Sequence, residues 1–171
     1  MENIFLVRKA IAEDAPYILE ITKQVFKTYQ EKVGISETIA ALTETVDEVI
    51  KDIETKDVFT ALYNGKVVGS VRIELFGDGT AYLSRFGVDS EFQSKGVGKI
   101  LLNVVDEEMQ KQNVTTLSLH TASRMLSLVR FYYGKGFYIE STTKDRGYIR
   151  ALLCKEYEAV NINETFKNKI V

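Results

Sequence analysis

The sequence predicts one mixed α/β domain built on a mostly antiparallel sheet, and three observations lead there. Strand-like and helix-like apolar periods alternate along the chain. Asn64-Gly65 stands between two apolar strand runs, the strongest short signal of a hairpin, because both turn residues take a positive φ. A helical stretch separates the runs AYLSRFGV and TTLSLH, which makes those two strands parallel neighbours in a right-handed crossover unit.

The elements follow in order. IFLVRK, residues 4–9, reads as a short strand. Asp14 before Ala15-Pro16 reads as a helix start, with a side-chain oxygen for the open amides and then a residue that needs no hydrogen bond. Ile18, Ile21, Val25, Phe26 and Tyr29 recur at helical spacing until Gly34. Ser36 is the expected cap of a second helix whose apolar stripe is Leu42, Val46, Val49, Ile50 and Ile53. VFTALY, KVVGSVRIEL and AYLSRFGV form a three-strand meander, turning at Asn64-Gly65 and at FGDGT. Leu101, Val104, Val105 and Met109 mark a helix of about four turns. TTLSLH is the next strand, and Ser123 is the expected start of a helix with Met125, Leu128, Val129 and Tyr132 on one face, ended by Gly134 and Gly136. GFYIEST and IRALLCKEY complete the sheet, and the tail from Glu158 is polar. Residues 1–157 are thus read as one domain and 158–171 as a tail, with no repeat and no linker.

With 171 residues, the chain has the size of one domain and enough apolar residues for a full core. Its formal net charge of −2 comes from nearly balanced acids and bases, so neither nucleic acid nor an anionic membrane is expected as a partner. No apolar run reaches the roughly 20 residues of a membrane helix. Cys154 is the single cysteine, and MENIFLVRKA lacks the apolar core of a signal peptide. A cytoplasmic protein is expected, and the triplets Asn113-Val114-Thr115 and Asn163-Glu164-Thr165 are then not glycosylated. One histidine and one distant cysteine give no metal-ligand spacing, so no metal is expected.

The stretch EFQSKGVGKIL, residues 91–101, sets two glycines directly before a helix. First-turn amides lack intrahelical partners and carry the positive end of the helix dipole, so an anion such as a phosphate fits there. Gln93, Ser94, Lys95 and Lys99 add polar or charged side chains. By the residues alone, Gly96 and Gly98 read equally as a tight strand-to-helix turn. Two known phosphate loops fail: a Walker loop ending at Gly98-Lys99 needs Gly at Gln93 and Ser or Thr at Ile100. The dinucleotide pattern needs a small residue where Leu101 stands.

VDSEFQSKGVGKILLN resembles the acyl-CoA binding motif of the GCN5-related N-acetyltransferases, with Gln93, Gly96 and Gly98 at its key places. VRKAIAEDAPYILEI is similar to the family's first strand and helix, and FYYGKGF to a segment near its end, so the resemblance runs from about residue 4 to 157. It implies a mixed, mostly antiparallel sheet of about seven strands with helices on both faces, splayed between the fourth and fifth strands. It also implies acetyl-CoA as co-substrate, its pyrophosphate on the amides from Gln93 through Ser94, Lys95, Gly96, Val97 and Gly98 to Lys99. The pantetheine arm would lie along the strand backbone at Phe86, Gly87 and Val88. Gly87 beside Val88 is compatible with a bulge there, or with close packing.

Acetyl transfer to an amine needs a free nitrogen lone pair, support for the oxyanion and a proton for the thiolate. Tyr132 aligns with the family's thiol-protonating tyrosine; its spacing from Met125 and Leu128 alone reads as a core tyrosine. Tyr133, about 100° around the helix, is the weaker candidate. Met125 stands where many members carry a cofactor-binding Asn, leaving Ser123 or the Thr121 hydroxyl to supply that contact. Tyr82 stands where histone-type members carry a glutamate base. Glu74 acting through water and His120 are the substitutes, each also readable as an ordinary polar residue. Cys154 reads as core, and Asp106-Glu107-Glu108 as the wet side of a helix.

In that family the first two helices and the last hairpin form the acceptor wall, which the resemblance places here at Phe26, Tyr29 and Tyr148; aromatic residues there suit the primary amine of a small, partly apolar molecule, and read equally as core. Glu37, Glu44 and Asp47 either attract a polyamine or aminoglycoside cation or are plain surface charges. An edge strand such as IRALLCKEY is where two copies would pair as a homodimer. Met125 and Tyr82 also admit an acyl-CoA-binding sensor without activity, and a loop that is only a turn admits a plain interaction domain.

Overall fold

The structure is a computed structural model and describes residues 4–158. Asn163-Glu164-Thr165 and the tail from residue 159 lie outside the described residues. The chain runs β1 (Phe5–Lys9), α1 (Ala15–Val33), α2 (Ala40–Thr43), α3 (Val46–Thr55), β2 (Asp57–Tyr63), β3 (Lys66–Leu75), β4 (Thr80–Val88), α4 (Val97–Lys111), β5 (Thr116–Ala122), α5 (Leu126–Gly134), β6 (Tyr138–Thr143) and β7 (Arg150–Glu156).

The seven strands form one sheet in the order β1-β2-β3-β4-β5-β7-β6. Every neighbouring pair is antiparallel except β4 and β5, which the α4 crossover makes parallel. Two apolar layers result from the period-2 alternation of the strands. On one face Val58, Leu62 and Val67 meet Ala15, Ile18 and Ile21 of α1 and Val49 of α3. On the other, Phe59, Ala61, Val71 and Ile73 meet Val97, Leu101, Val105 and Met109 of α4, with Tyr132 and Phe137.

Several local expectations are corrected. Asp14 does not cap α1: its carboxylate accepts from Ile11 N–H (2.9 Å) and from Arg8 (2.7 and 3.1 Å), tying β1 to the turn before the helix. The second helix is two, because the chain extends at Glu44; the cap is Thr45, paired with Glu48 in a capping box, and not Ser36. The chain turns at Ser123, whose N–H donates to Ile149 C=O, so α5 starts three residues later. IRALLCKEY is no edge: β7 lies between β5 and β6, which leaves its backbone no open side for pairing two copies. Asp106 is not a wet charge either, since it accepts from Lys155 (2.8 Å) and Tyr157 (2.6 Å) and pins the end of β7 to α4.

A buried charge network anchors the α1 face. Arg72 of β3 is 0% exposed and donates to both oxygens of Glu44 at 2.6 and 2.8 Å and to Asp52 at 2.8 Å. Burial alone would raise the Asp52 carboxyl, but Arg72 and Lys56 hold it below the usual range. Glu44 sits where α2 ends and α3 begins, so this contact fixes both helices to the sheet.

Candidate functional site

Between β4 and β5 the sheet opens. The two strands pair only at Thr80 with Thr116, Ala81 with Leu117 and Tyr82 with Ser118, and then diverge. The cause lies in β4. From Ser70 paired with Gly87 to Arg72 paired with Ser84, Arg85 and Phe86 stand opposite the single Val71, a β-bulge with Arg85 at φ +50°. Such an insertion bends the strand and strengthens its twist. The bulge therefore lies at Arg85-Phe86 and not at Gly87-Val88. Gly87 reflects close packing: a Cβ there would stand 3.2 Å from Val25 of α1. The end of β5 is tied to α1 as well, through Ala122 N–H donating to the Tyr29 hydroxyl at 2.7 Å.

A cleft of about 880 Å³ runs through this gap. Phe86, Gly87, Val88, Gln93, Ser94, Lys95, Gly96, Val97, Gly98, Lys99 and Tyr132 all line it. Gly96, at φ +83°, ends the loop and starts α4, and a Cβ added there would meet nothing within 4 Å. Gly98 serves packing: its Cβ would lie 3.1 Å from Phe86 and 3.4 Å from Phe131, whose rings stack 5.8 Å apart. Among the described residues, the N–H groups of Ser94, Gly96, Val97, Gly98 and Lys99 find no backbone acceptor. The other two loop amides are spent, Gln93 N–H on Asp89 C=O (3.1 Å) and Lys95 N–H on Phe92 C=O (3.4 Å). The Gln93 side chain, expected to reach a ligand, donates to Val88 C=O at 3.0 Å and braces the loop. Lys95 lies 4.9 Å above the Phe92 ring.

Tyr132 projects from α5 into an aromatic cluster with Phe86, Phe131 and Phe137. It is 5% exposed, and among the described residues its hydroxyl has no hydrogen-bond partner. Burial, and then Tyr29 and Tyr82, push its phenol well above the usual range, so it stays protonated. Across the gap, Tyr82 Oη and His120 Nδ1 are 2.8 Å apart. Burial raises the Tyr82 phenol and lowers His120; Arg150 lowers His120 further, Asp145 opposes it in part, and Arg146 adds a smaller lowering. Neutral imidazole is therefore the form at neutral pH.

Phe26, Tyr29 and Tyr148 line the α1 side of the cleft, and Thr121, with a buried hydroxyl lacking a partner, lines its floor beside Met125. Other expected contributors do not reach it. Ser123 is absent from the lining, and Tyr133 is exposed, its hydroxyl accepting from Ile139 N–H. Glu74 is half exposed, 4.0 Å from Lys56. Glu37 and Asp47 also lie outside the lining, and Glu44 is buried on Arg72. The thiol of Cys154 is buried and burial raises it, away from the cleft. Tyr82 and His120 are each singled out in the sequence, but their pairing escapes sequence reading because they come from separate strands, β4 and β5, and Arg85 carries no local signal.

A sheet opened between two parallel strands, with free helix-start amides at one side of the gap, has a shape and polarity that suit an extended ligand ending in an anion. Comparison with known proteins gives that fold its family. Residues 22–137 match the acetyltransferase (GNAT) family. The structure is similar to the PaiA N-acetyltransferase of Thermoplasma acidophilum, solved in complex with coenzyme A, with a TM-score of 0.79 and 19% identity, over 90% of this chain and 99% of that one. It is also similar to the ribosomal-protein-S18-alanine N-acetyltransferase of Escherichia coli (TM-score 0.70, 18% identity, 93% of this chain and 99% of that one). In sequence it is 27% identical over 115 residues to the uncharacterized N-acetyltransferase CT2212 of Chlorobaculum tepidum, covering 67% of this chain and 66% of that protein. The chain belongs to the GNAT family and is an enzyme of the N-acetyltransferase class. Among the described residues no helix is long and apolar enough to cross a membrane.

Proposed function

We propose that the protein transfers acetyl from acetyl-CoA directly to the primary amine of a small acceptor. The observation that carries this is the cleft itself, which joins five unpaired amides on the α4 face to a protonated phenol and a neutral imidazole inside the sheet gap. The amides of Ser94 and Gly96 to Lys99 receive the pyrophosphate, where the missing Cβ of Gly96 leaves space. The unpaired edges of β4 and β5 take the pantetheine amides as an added strand would be taken. His120 removes a proton from the acceptor ammonium, with Nδ1–H donating to Tyr82 so that Nε2 keeps its lone pair. The freed nitrogen attacks the thioester carbonyl, the C–S bond breaks as Tyr132 gives its proton to the leaving thiolate, and the second proton shed by the acetylated nitrogen passes through solvent to restore the Tyr132 phenol. On this reading it works in the cytoplasm, where acetyl-CoA is at hand and the Cys154 thiol stays reduced.

Titration calorimetry with acetyl-CoA and with S-acetylpantetheine, which lacks the pyrophosphate, tests the reading. Micromolar binding of the first and none of the second is expected; equal binding of both, or of neither, would overturn the role of the loop.

A further inference from the structure

Resting on the acetyltransferase reading, the charges around the acceptor side of the cleft point to the acceptor's own charge. No Asp or Glu among the described residues lines the cleft, although the chain as a whole carries a net charge of −2. Four cations border it on the α1 face: Lys32, Arg85, Arg146 and Arg150. Two are already matched. Arg150 donates to both oxygens of Asp145 at 2.8 and 3.1 Å, and Arg85 Nε lies 3.5 Å from Glu44. Among the described residues, Lys32 and Arg146 have no carboxylate within ion-pair distance. They come from the last turn of α1 and from the β6–β7 hairpin, far apart in the chain, and both border the cleft.

The cofactor phosphates do not account for these two cations. The glycine loop lies at the start of α4, on the other face of the sheet, where Lys95, Lys99 and free amides already meet that charge. The acceptor side is also confined. Glu37 lies against Gly147, 3.3 Å from where a Cβ would be, and Gln30 donates to Glu37 C=O at 2.9 Å, so the α1–α2 connection touches the β6–β7 hairpin. Phe26 and Tyr148 line the wall between.

We propose that the acceptor is an amino acid with a partly apolar side chain. Lys32 and Arg146 hold its carboxylate, Phe26 and Tyr148 cover its apolar part, and its ammonium faces His120. Two separate, exposed cations without a helix start or an amide nest suit a monoanion better than a phosphate. The cationic acceptors for which Glu37, Glu44 and Asp47 argued are disfavoured, since none of those carboxylates lines the cleft.

The test follows thiol release from acetyl-CoA with the twenty common amino acids, their carboxamides, their decarboxylated amines, O-phosphoethanolamine, spermidine and an acidic hexapeptide. At least one amino acid should exceed its carboxamide and its decarboxylated amine in kcat/KM by about tenfold or more. Arg146→Ala and Lys32→Ala should each raise KM for that amino acid about five- to tenfold, with acetyl-CoA affinity unchanged. Spermidine, phosphoethanolamine, neutral amines or the hexapeptide as the best substrate would overturn the proposal, as would no turnover of any amino acid. If acetyl-CoA itself fails to bind, the acetyltransferase reading falls first; if it binds and another class is acetylated, only the acceptor assignment falls.

Discussion

The two sides of the cleft are built in opposite ways. On the α4 face the site is made of backbone: five amides from the loop and the first turn of α4, shaped by Gly96 and packed through Gly98. On the α1 face it is made of side chains from α1, β4, β5 and the β6–β7 hairpin, brought together by a bulge at Arg85-Phe86 and by the tie of Tyr29 to Ala122. A backbone site recognises what every acyl-CoA shares and tolerates most side-chain changes. A side-chain site recognises what distinguishes one amine from another, and a single substitution can change it.

If that contrast is correct, the largest effect should come from filling the backbone half. Gly96→Glu places bulk and negative charge where a Cβ meets nothing, so the fold should lose only about 1–2 kcal/mol to the left-handed φ while acetyl-CoA affinity falls at least about 100-fold. Calorimetry together with a melting curve separates the two. Retained affinity would show that the loop is only a turn.

Tyr132→Phe comes next. The hydroxyl has no partner among the described residues, so stability should not suffer. Turnover should drop about 100-fold if the phenol is the acid, with acetyl-CoA affinity kept. Because burial raises this phenol, the native enzyme should show no alkaline loss of kcat below about pH 10.

The His120 side is tested by pH. A base must be neutral, and burial lowers His120 against its ordinary value, with Tyr82, Arg150, Arg146 and Asp145 as the groups facing it. kcat/KM should therefore be level at neutral pH and fall only below about pH 6.5. In His120→Gln that acid limb should vanish and the rate drop about tenfold or more; a surviving limb would assign the base elsewhere.

The smallest effect concerns the frame and not the chemistry. Burial would raise Asp14, but the hydrogen bonds from Arg8 and Ile11 outweigh it and hold the carboxyl below its ordinary value. A carboxyl depressed in the folded state contributes stability that is full above its unfolded pKa and lost as pH falls through the folded one. Melting temperature should thus decline below about pH 4, and Asp14→Asn should flatten part of that decline while leaving acetyl-CoA affinity as it was.

Legibility in the sequence follows the same division. Asn64-Gly65, the apolar stripe of α1 and Gly96 at the start of α4 are local signals, and each marks the element it predicts, whereas Gly98, expected before the helix, lies in its first turn. The helix reading failed between Gly34 and Val46 because a buried arginine twenty-eight residues away, Arg72, draws Glu44 out of helical geometry, a contact without a local trace. IRALLCKEY failed as an edge for a related reason: its alternation is the same whether one or both of its backbone sides are paired.

By itself, then, the sequence determined the order of the strands, the parallel placement of β4 and β5 and the position of the glycine loop, since each depends on neighbours within a few turns of chain. The tertiary structure alone decided where β4 bends, which amides around the start of α4 stay free, that His120 meets Tyr82, and that among the described residues Lys32 and Arg146 border the acceptor side of the cleft with no carboxylate in its lining. Those features depend on contacts between residues far apart in the chain, which propensity and periodicity do not encode.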